Sequence, residues 1–533
     1  METLGAFLDA VAGAAPAREA VSAAPAGRVE RRLTWAQLRD ASRTAAKRLV
    51  GLGAGKGTRV GLLCPNRPEW LAIAFGAFRI GAVLVPFSTL WKRDEIAYAL
   101  GHGDVQLLVT VPAFLKHDYA GALAEIVPSL VREPARAIHD RAAPALRRVV
   151  ALGGASRGLA SWDALPADLA DDVLDALEGR VSPTDVATVF FTSGTTAQAK
   201  AVVHAHGALA TSGRRIADCL GVGPGDAWWG HMPLFWSGGF VIGALATMAG
   251  GGRLVLQETV EPGAALELLE AERCTIMAGW HQAGPLLDHP DFPRRRLSLA
   301  KGSFHALADR LMGPEHRAVG MYGMSETATC VACARFDDPP AVRRETFGRP
   351  LAGMEVRIVD PDTGAVAEAG APGEIHVKGP TLMEGYYRVP RTDTFTPDGF
   401  FRTGDLGYLD AAGLLHFASR LKDVIKTAGV NVAAAEVEEA LARHDAVKAA
   451  HVVGVSHPVR GENVAAYVVL RPGAHADEAA LIDFCRAQLA SYKVPRHVFV
   501  IDDAAVPRTG TGKVAKPMLR RDAETRLGAS AKE

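Results

Sequence analysis

Apolar residues recur along the chain with two alternating periods. Over 35–52, Leu38, Ala41, Ala45 and Leu49 fall at helical spacing and predict an amphipathic helix. Arg59–Leu63 predicts a short strand ending at Pro65, followed by a buried helix over 69–80 and a strand over 82–86. A further helix leads to a strand over 105–109. This alternation predicts βαβ units and a largely parallel sheet. Residues 133–182, rich in Ala, Arg, Asp and Pro, predict surface helices and a connecting segment. A second α/β pattern covers 204–339, with strands at 253–256 and 274–278 and a helix at Pro262–Ala271. From 348 to 416 the pattern becomes β-rich, with strands at Glu355–Val359, Gly373–Lys378 and 414–418 between Gly and Pro residues. The final stretch reads as a compact α+β unit: helix 434–443, strands 447–455 and 464–470, helix 478–490, then a Gly/Thr-rich loop over 506–513. The fold class is α/β, with a large N-terminal domain of packed α/β subdomains, a β-rich subdomain and a small α+β C-terminal domain.

One apolar stretch, 70–91, has the length of a membrane span. Arg79 near its middle would cost about 2.5–3.5 kcal/mol at a bilayer centre, and Gly81 and Pro86 interrupt it, so it reads as helix plus strand. The N-terminus lacks the basic start and apolar run of a signal peptide, and the expected location is the cytoplasm. With 533 residues, 48% hydrophobic and 22% charged, the composition is that of a multidomain globular protein. Formal net charge is zero, which removes the electrostatic footprint of a nucleic-acid binder; the Arg294–Arg295–Arg296 run beside Pro293 reads as a solvated turn. Six cysteines are too sparse for a disulfide scaffold. Cys330 and Cys333 form a Cys-x-x-Cys pair without a second pair to complete a zinc site, and read as small apolar residues.

The densest chemistry lies at 192–201. The apolar run Val186 to Phe191 leads into Thr192, Ser193, Gly194, Thr195, Thr196 and then Lys200. Hydroxyls and backbone N–H groups can wrap anionic oxygens, and a lysine adds a point charge, so the run suits phosphate. A plain surface turn is the alternative, since Ser/Thr clusters commonly close turns. Four further segments bear on the choice. Tyr322 to Thr327 combines an aromatic ring with Ser325 and the Glu326 carboxylate; Arg402 to Leu406 sets Asp405 on a tight turn able to accept from two vicinal hydroxyls. The run 419–432 carries Arg420, Lys422, Lys426 and Gly429, and Lys513 closes the set. Singly, Asp405 could cap a turn, Glu326 could cap a helix and Lys513 could be a solvated lysine.

Together, in this order, these segments resemble the adenylate-forming superfamily over essentially the whole chain, nearest its acyl- and aryl-CoA synthetase branch. The resemblance implies an N-terminal adenylation domain over 1–420 and a mobile C-terminal domain over 421–533. It implies ATP and Mg²⁺, with coenzyme A as co-substrate, and an acid–CoA ligase working through an acyl-adenylate. Thr192, Ser193, Gly194, Thr195, Thr196 and Lys200 match the loop on the ATP β- and γ-phosphates. Tyr322 matches the adenine-stacking ring, with Ser325 beside the nucleotide, and Glu326 the metal-ligating carboxylate. Asp405 matches the ribose carboxylate with Arg420 nearby, and Lys422 the hinge. Lys513 matches the adenylation lysine, and Lys426 and Gly429 the loop that enters for thioester formation and lines the pantetheine tunnel. Trp236, Gly238, Gly279, His281 and Gly323 match the acyl pocket.

Departures sharpen the expectation. Ala197, Ala199 and Ala201 stand where the family places Gly, Pro and Gly, which implies a stiffer or reshaped loop because alanine rarely takes positive φ. Trp236 replaces a gating His, and the absence of an Asp in that segment counts against an α-amino acid. Gly323 replaces the pocket-closing Trp of acetate-specific relatives, which implies an acid larger than propionate, fatty or aromatic. His281 could accept a polar group of the substrate or be a structural His. The alternatives are an acyl-AMP ligase loading a carrier-protein thiol, and a nucleotide-binding relative with impaired catalysis. No nucleic-acid partner or integral membrane segment is expected, and a homodimer is compatible with these motifs.

Overall fold

The computed structural model describes residues 1–132, 138–192, 199–279, 282–421, 424–427, 430–457, 460–489, 493–509 and 512–530, with the side chains of 131, 132, 426, 430, 431, 433, 529 and 530 outside the description. The chain divides into two compact units, one of Met1–Glu355 and Val377–Phe401, the other of Val356–His376 and Arg402–Glu533.

The first unit is built on two large sheets. One runs in the order Lys301–Gly302, Ile276–Met277, Ala227–Gly230, Arg253–Gln257, Glu19–Ala24 and Arg31–Thr34, parallel except for its last pair. The other has eight strands: Gly385–Tyr386, Lys200–Ala205, Val186–Thr192, Val83–Pro86, Arg59–Leu63, Leu107–Thr110, Arg148–Ala151 and Ala160–Ser161. Its pairs from Val186–Thr192 through to Ala160–Ser161 are parallel, and its strands Val83–Pro86 and Leu107–Thr110 are buried throughout, as sheets covered on both faces require.

Helix Trp35–Gly51 starts at Thr34, whose side chain and that of Gln37 form a capping box. Its inward stripe is Leu38, Ser42, Ala45 and Leu49; Ser42 takes the place expected for Ala41. The reason is Arg79 on helix Pro68–Arg79. Its guanidinium is wholly buried, donates to the Ser42 hydroxyl at 2.8 Å, and pairs with Asp9 and with Glu178 at 3.0 Å. The residue that argued against a membrane span is a paired buried cation, and no described helix is long and apolar enough to cross a membrane.

Two differences from the sequence reading concern this second sheet. Within 133–182, Arg148–Ala151 is a strand of the sheet with three buried residues, because its short Val-Val core fits between neighbours despite polar flanks. The segment after the hydroxyl-rich run is also a strand, Lys200–Ala205, antiparallel to Val186–Thr192, so that run joins the arms of a hairpin. Ala201 is 1% exposed and sits opposite Phe191 in this ladder. Ala201 does not take positive φ, so the ladder there does not require a glycine; Ala197 lies outside the described residues. Ala201→Gly is therefore expected to destabilise the fold by about 1 kcal/mol through lost strand packing and added chain entropy. Chemical denaturation checks this, and a stabilised variant would contradict it.

In the second unit, a four-stranded sheet has the order Glu355–Val359, Gly373–Lys378, Phe401–Leu409 and Leu415–Arg420. A five-stranded sheet follows, with Val447–His457 and Gly461–Leu470 as its long hairpin and His497–Val500 added in parallel. Helices Ala434–Ala442 and Glu478–Gln488 pack Val437, Leu441, Leu481 and Cys485 on one core of this sheet. The final helix, Lys516–Ser530, packs Leu519 and Ala523 against Tyr467 and Val453; its polar sequence hid it from the periodicity reading. All six cysteines are buried and free.

Candidate functional site

Three segments of the first unit meet at the mouth of the hairpin. Thr192 and Lys200 are cross-strand partners that close its two arms. Residues 193–198, and with them Ser193, Gly194, Thr195 and Thr196, lie outside the described residues. Lys200 is exposed, and its ammonium sits over the ring of Tyr386 at 4.6 Å from the centroid. The Tyr386 hydroxyl donates to Glu326 Oε1 at 2.7 Å. The Lys200 ammonium and the Glu326 carboxylate therefore converge on one phenol, the first at its ring face and the second at its hydroxyl.

Glu326 lies in a single 3-10 turn, Ser325–Thr327, anchored from three directions. His204 Nε2, on the hairpin strand, donates to the Ser325 carbonyl at 2.6 Å. Burial pushes the His204 imidazole down to about 4, against the opposing pull of that bond, so it is neutral and carries its proton on Nε2. The Ser325 and Ser237 hydroxyls lie 2.9 Å apart, and the Met383 N–H donates to the Glu326 carbonyl at 2.8 Å.

The turn is followed by two non-glycine residues at positive φ, Ala328 at 46° and Thr329 at 78°, with the Ala328 carbonyl held by Ser212 Oγ at 2.6 Å. Such consecutive left-handed residues cost about 1–3 kcal/mol each and cluster where a site needs an enforced shape. They fold the chain back so that a Cβ on Gly323 would lie 2.2 Å from the Thr329 carbonyl oxygen. Glycine at 323 thus has a backbone reason, and its lack of a side chain is no independent gauge of pocket size. Tyr322 is 6% exposed on strand Met321–Tyr322 and packs edge to face on Phe347, with ring centroids 6.2 Å apart.

Trp236 is half-buried, its ring edge to face with Phe235, and its backbone N–H donates to the Pro233 carbonyl at 3.1 Å. It precedes the π-helical turn Gly238–Leu245, a form often found at functional sites. A Cβ on Gly238 would meet open space, whereas Gly279, at φ +82°, abuts Met232 and accepts from His231 Nε2 at 2.9 Å. His281 and its neighbour Trp280 lie outside the described residues.

In the second unit, Asp405 is not on a tight turn. It lies within strand Phe401–Leu409, directly opposite Arg420, with Gly404 at φ +70° providing the local bend that resembled a turn. Asp405 is 2% exposed and its Oδ1 lies 2.8 Å from Arg420 Nε. Its N–H donates to the Thr403 hydroxyl at 3.1 Å, while that hydroxyl donates to the Ile375 carbonyl at 2.7 Å. Lys426 lies on strand Val424–Thr427 with its side chain outside the description, and Lys422 and Gly429 lie outside the described residues. Lys513 is exposed on a turn closed by the Thr509 N–H on its carbonyl at 2.7 Å.

Sequence reasoning missed Tyr386, His204 and Ser237. The available signal for the first was Gly385 before two tyrosines. Gly385 has φ +148°, a conformation close to glycine-only, and it brings Tyr386 into register with Val202 of the hairpin strand.

Mg²⁺ fits this donor set. It takes one or two carboxylates plus substrate phosphates, and Glu326 keeps its second oxygen outside the Tyr386 bond. No group of three metal-ligating side chains converges among the described residues.

Two family models match the chain: AMP-binding enzyme over residues 8–387 and AMP-binding enzyme C-terminal domain over residues 436–513. A methyl-dioxo-octahydroindenyl-propanoyl:CoA ligase of Mycobacterium tuberculosis is 34% identical, covering 92% of this chain and 94% of its own. Acyl-CoA ligase sidI of Aspergillus fumigatus is 30% identical over 94% of this chain and 88% of its own. Among solved structures, ATP-bound MatB from Rhodopseudomonas palustris aligns with TM-score 0.81 at 25% identity, covering 98% of this chain and 99% of that one.

Proposed function

The chain belongs to the AMP-binding enzyme family, and from that premise we propose that it is an ATP-dependent carboxylic acid–CoA ligase. The acid would be converted to its acyl-adenylate with release of pyrophosphate, then transferred to the CoA thiol with release of AMP. The observation that carries the reading is the meeting of Lys200 and Glu326 at the hairpin mouth through Tyr386. It supplies a cation for phosphate oxygens and a carboxylate for a cation on one rigid support.

The chemistry explains the need for both. A carboxylate is a poor acyl donor because oxide would have to leave. Its oxygen therefore attacks the α-phosphorus, the bond to the β-phosphate breaks, and pyrophosphate departs. Both reactants are anions, so fixed positive charge must offset their repulsion. Glu326 would hold Mg²⁺, which when bound would supply Lewis-acid stabilisation of the developing charge. Lys200 holds the departing phosphates, Lys513 stabilises the attacking and α-phosphate oxygens, Asp405 with Arg420 holds the ribose, and Tyr322 faces the base. In the second step the CoA sulfur attacks the carbonyl carbon and the carbon–oxygen bond to AMP breaks. Lys426 and Gly429 serve that step, and Lys422 the hinge between the two.

The Mycobacterium tuberculosis relative, named for a bulky bicyclic propanoyl acid, supports an acid larger than propionate. The open space at Gly238 and the half-buried Trp236 ring support the same segment as pocket wall. A screen of aliphatic and aromatic acids for Mg²⁺-dependent pyrophosphate release tests the reading. Free CoA is expected to accept the acyl group from the best acid. Acid-independent pyrophosphate release, or none with any acid, would sink the proposal, and transfer only to a carrier-protein thiol would redirect it.

A further inference from the structure

Lys200 and Glu326 are oppositely charged and both reach the ring of Tyr386, yet no ion pair joins them among the described residues. A direct pair would neutralise the two groups that phosphate and Mg²⁺ need. Tyr386 satisfies each without cancelling either: its π face attracts the ammonium, and its hydroxyl proton meets one carboxylate oxygen.

The strand carrying Tyr386 is laced to both sides. The Glu384 N–H donates to the Val203 carbonyl and the Tyr387 N–H to the Ala201 carbonyl, both at 2.8 Å, while the Met383 N–H reaches the Glu326 carbonyl at 2.8 Å. Residues 383–387 therefore fasten the hairpin strand to the Glu326 turn by backbone bonds, and Tyr386 repeats that link in side chains. Its register opposite Val202 puts it two residues along the ladder from Lys200, on the same face, as the alternation of a strand requires.

We propose that Tyr386 is a positioning residue for adenylation, setting the Glu326 carboxylate for Mg²⁺ through its hydroxyl and the Lys200 ammonium for phosphate through its ring. This rests on the reading of Glu326 and Lys200 given above. The hydroxyl and the ring act on different ligands, so their removal separates two effects. Tyr386→Phe deletes only the hydroxyl. Tyr386→Leu deletes hydroxyl and ring face together.

The test uses the full chain, with acid-dependent ATP–pyrophosphate exchange followed over a Mg²⁺ titration, and calorimetric binding of Mg·ATP without acid as a second arm. Tyr386→Phe is expected to raise the half-saturating Mg²⁺ concentration about tenfold while kcat at saturating Mg²⁺ changes less than about threefold. Tyr386→Leu is expected to add a rise of about threefold or more in the KM for ATP. In a Glu326→Gln background, Tyr386→Phe is expected to add no further Mg²⁺ shift, because the hydroxyl acts through that carboxylate. A merely structural role would lower the thermal midpoint and give additive losses. An unchanged Mg²⁺ requirement in Tyr386→Phe, or a full shift persisting beside Glu326→Gln, would overturn the inference. Failure of the unsubstituted chain to exchange with any acid would sink the ligase reading, and the Mg·ATP binding arm would still decide the role of Tyr386.

Discussion

Replacing Lys513 by alanine is expected to cut acyl-adenylate formation by about 10³-fold and leave acyl transfer from preformed acyl-AMP to CoA within about threefold of the unsubstituted chain. The asymmetry follows from charge. Adenylation brings a carboxylate onto a phosphate, and a preorganised cation aimed at the developing charge is worth 10²–10³ or more. Thioester formation joins a neutral carbonyl to a thiol and has no comparable anion–anion encounter. Lys513 is exposed, and no described carboxylate pairs with it. Its turn is held by other groups: the Thr509 N–H on the Lys513 carbonyl, and Arg508, which donates to the Gly512 carbonyl at 3.3 Å and pairs with Asp503 at 3.0 Å. Truncating the side chain should therefore change stability by no more than about 0.5 kcal/mol. Single-turnover assays of each half-reaction measure the split. Equal loss in both would mean that Lys513 serves a shared step or the fold, and would remove the two-stage assignment.

The helices and buried strands were legible because their signals are local. Pro262–Ala271, Glu355–Val359 and Gly373–Lys378 appear where their periods and punctuation place them. The hydroxyl-rich run stands out in the sequence because its hydroxyls are contiguous, although residues 193–198 lie outside the described residues. Other parts of the site depend on distant partners. Tyr386 acquires meaning only from Glu326, 60 residues away, and His204 from Ser325, 121 residues away. Asp405 looked like a turn residue because Gly404 supplies a bend, yet ladder pairing with Arg420 keeps it in a strand. Gly323 has a further reason that only the fold shows. A missing side chain suggested room for substrate, whereas the Thr329 carbonyl already occupies the space a Cβ would need. Glycine records a close approach, and sequence alone does not say whether ligand or backbone makes it.

Asp405→Ala is expected to raise the KM for ATP about 100-fold and to abolish discrimination between ATP and 2′-deoxy-ATP. A carboxylate that is 2% exposed is costly to bury, and Arg420 at 2.8 Å offsets that cost while keeping the charge. Held this way, Asp405 can accept from both ribose hydroxyls, and each charge-assisted bond contributes about 1.5–3 kcal/mol, or roughly tenfold to 100-fold. A site built to bond a hydroxyl rejects the analogue that lacks it, so the unsubstituted chain should disfavour 2′-deoxy-ATP by at least about tenfold. With alanine at 405 the two nucleotides should become equivalent. The Arg420 side chain is 47% exposed, so losing its partner leaves a solvated guanidinium, not a stranded buried charge, and the fold should tolerate the change. Asp405→Asn separates charge from shape: the amide keeps an acceptor oxygen but loses the negative charge, and its KM should fall between those of the other two. Steady-state kinetics with both nucleotides measure all three. If Asp405→Ala still prefers ATP over its deoxy analogue by the original factor, the ribose is held elsewhere, and the Asp405–Arg420 pair would be a strand-pairing device of the second unit.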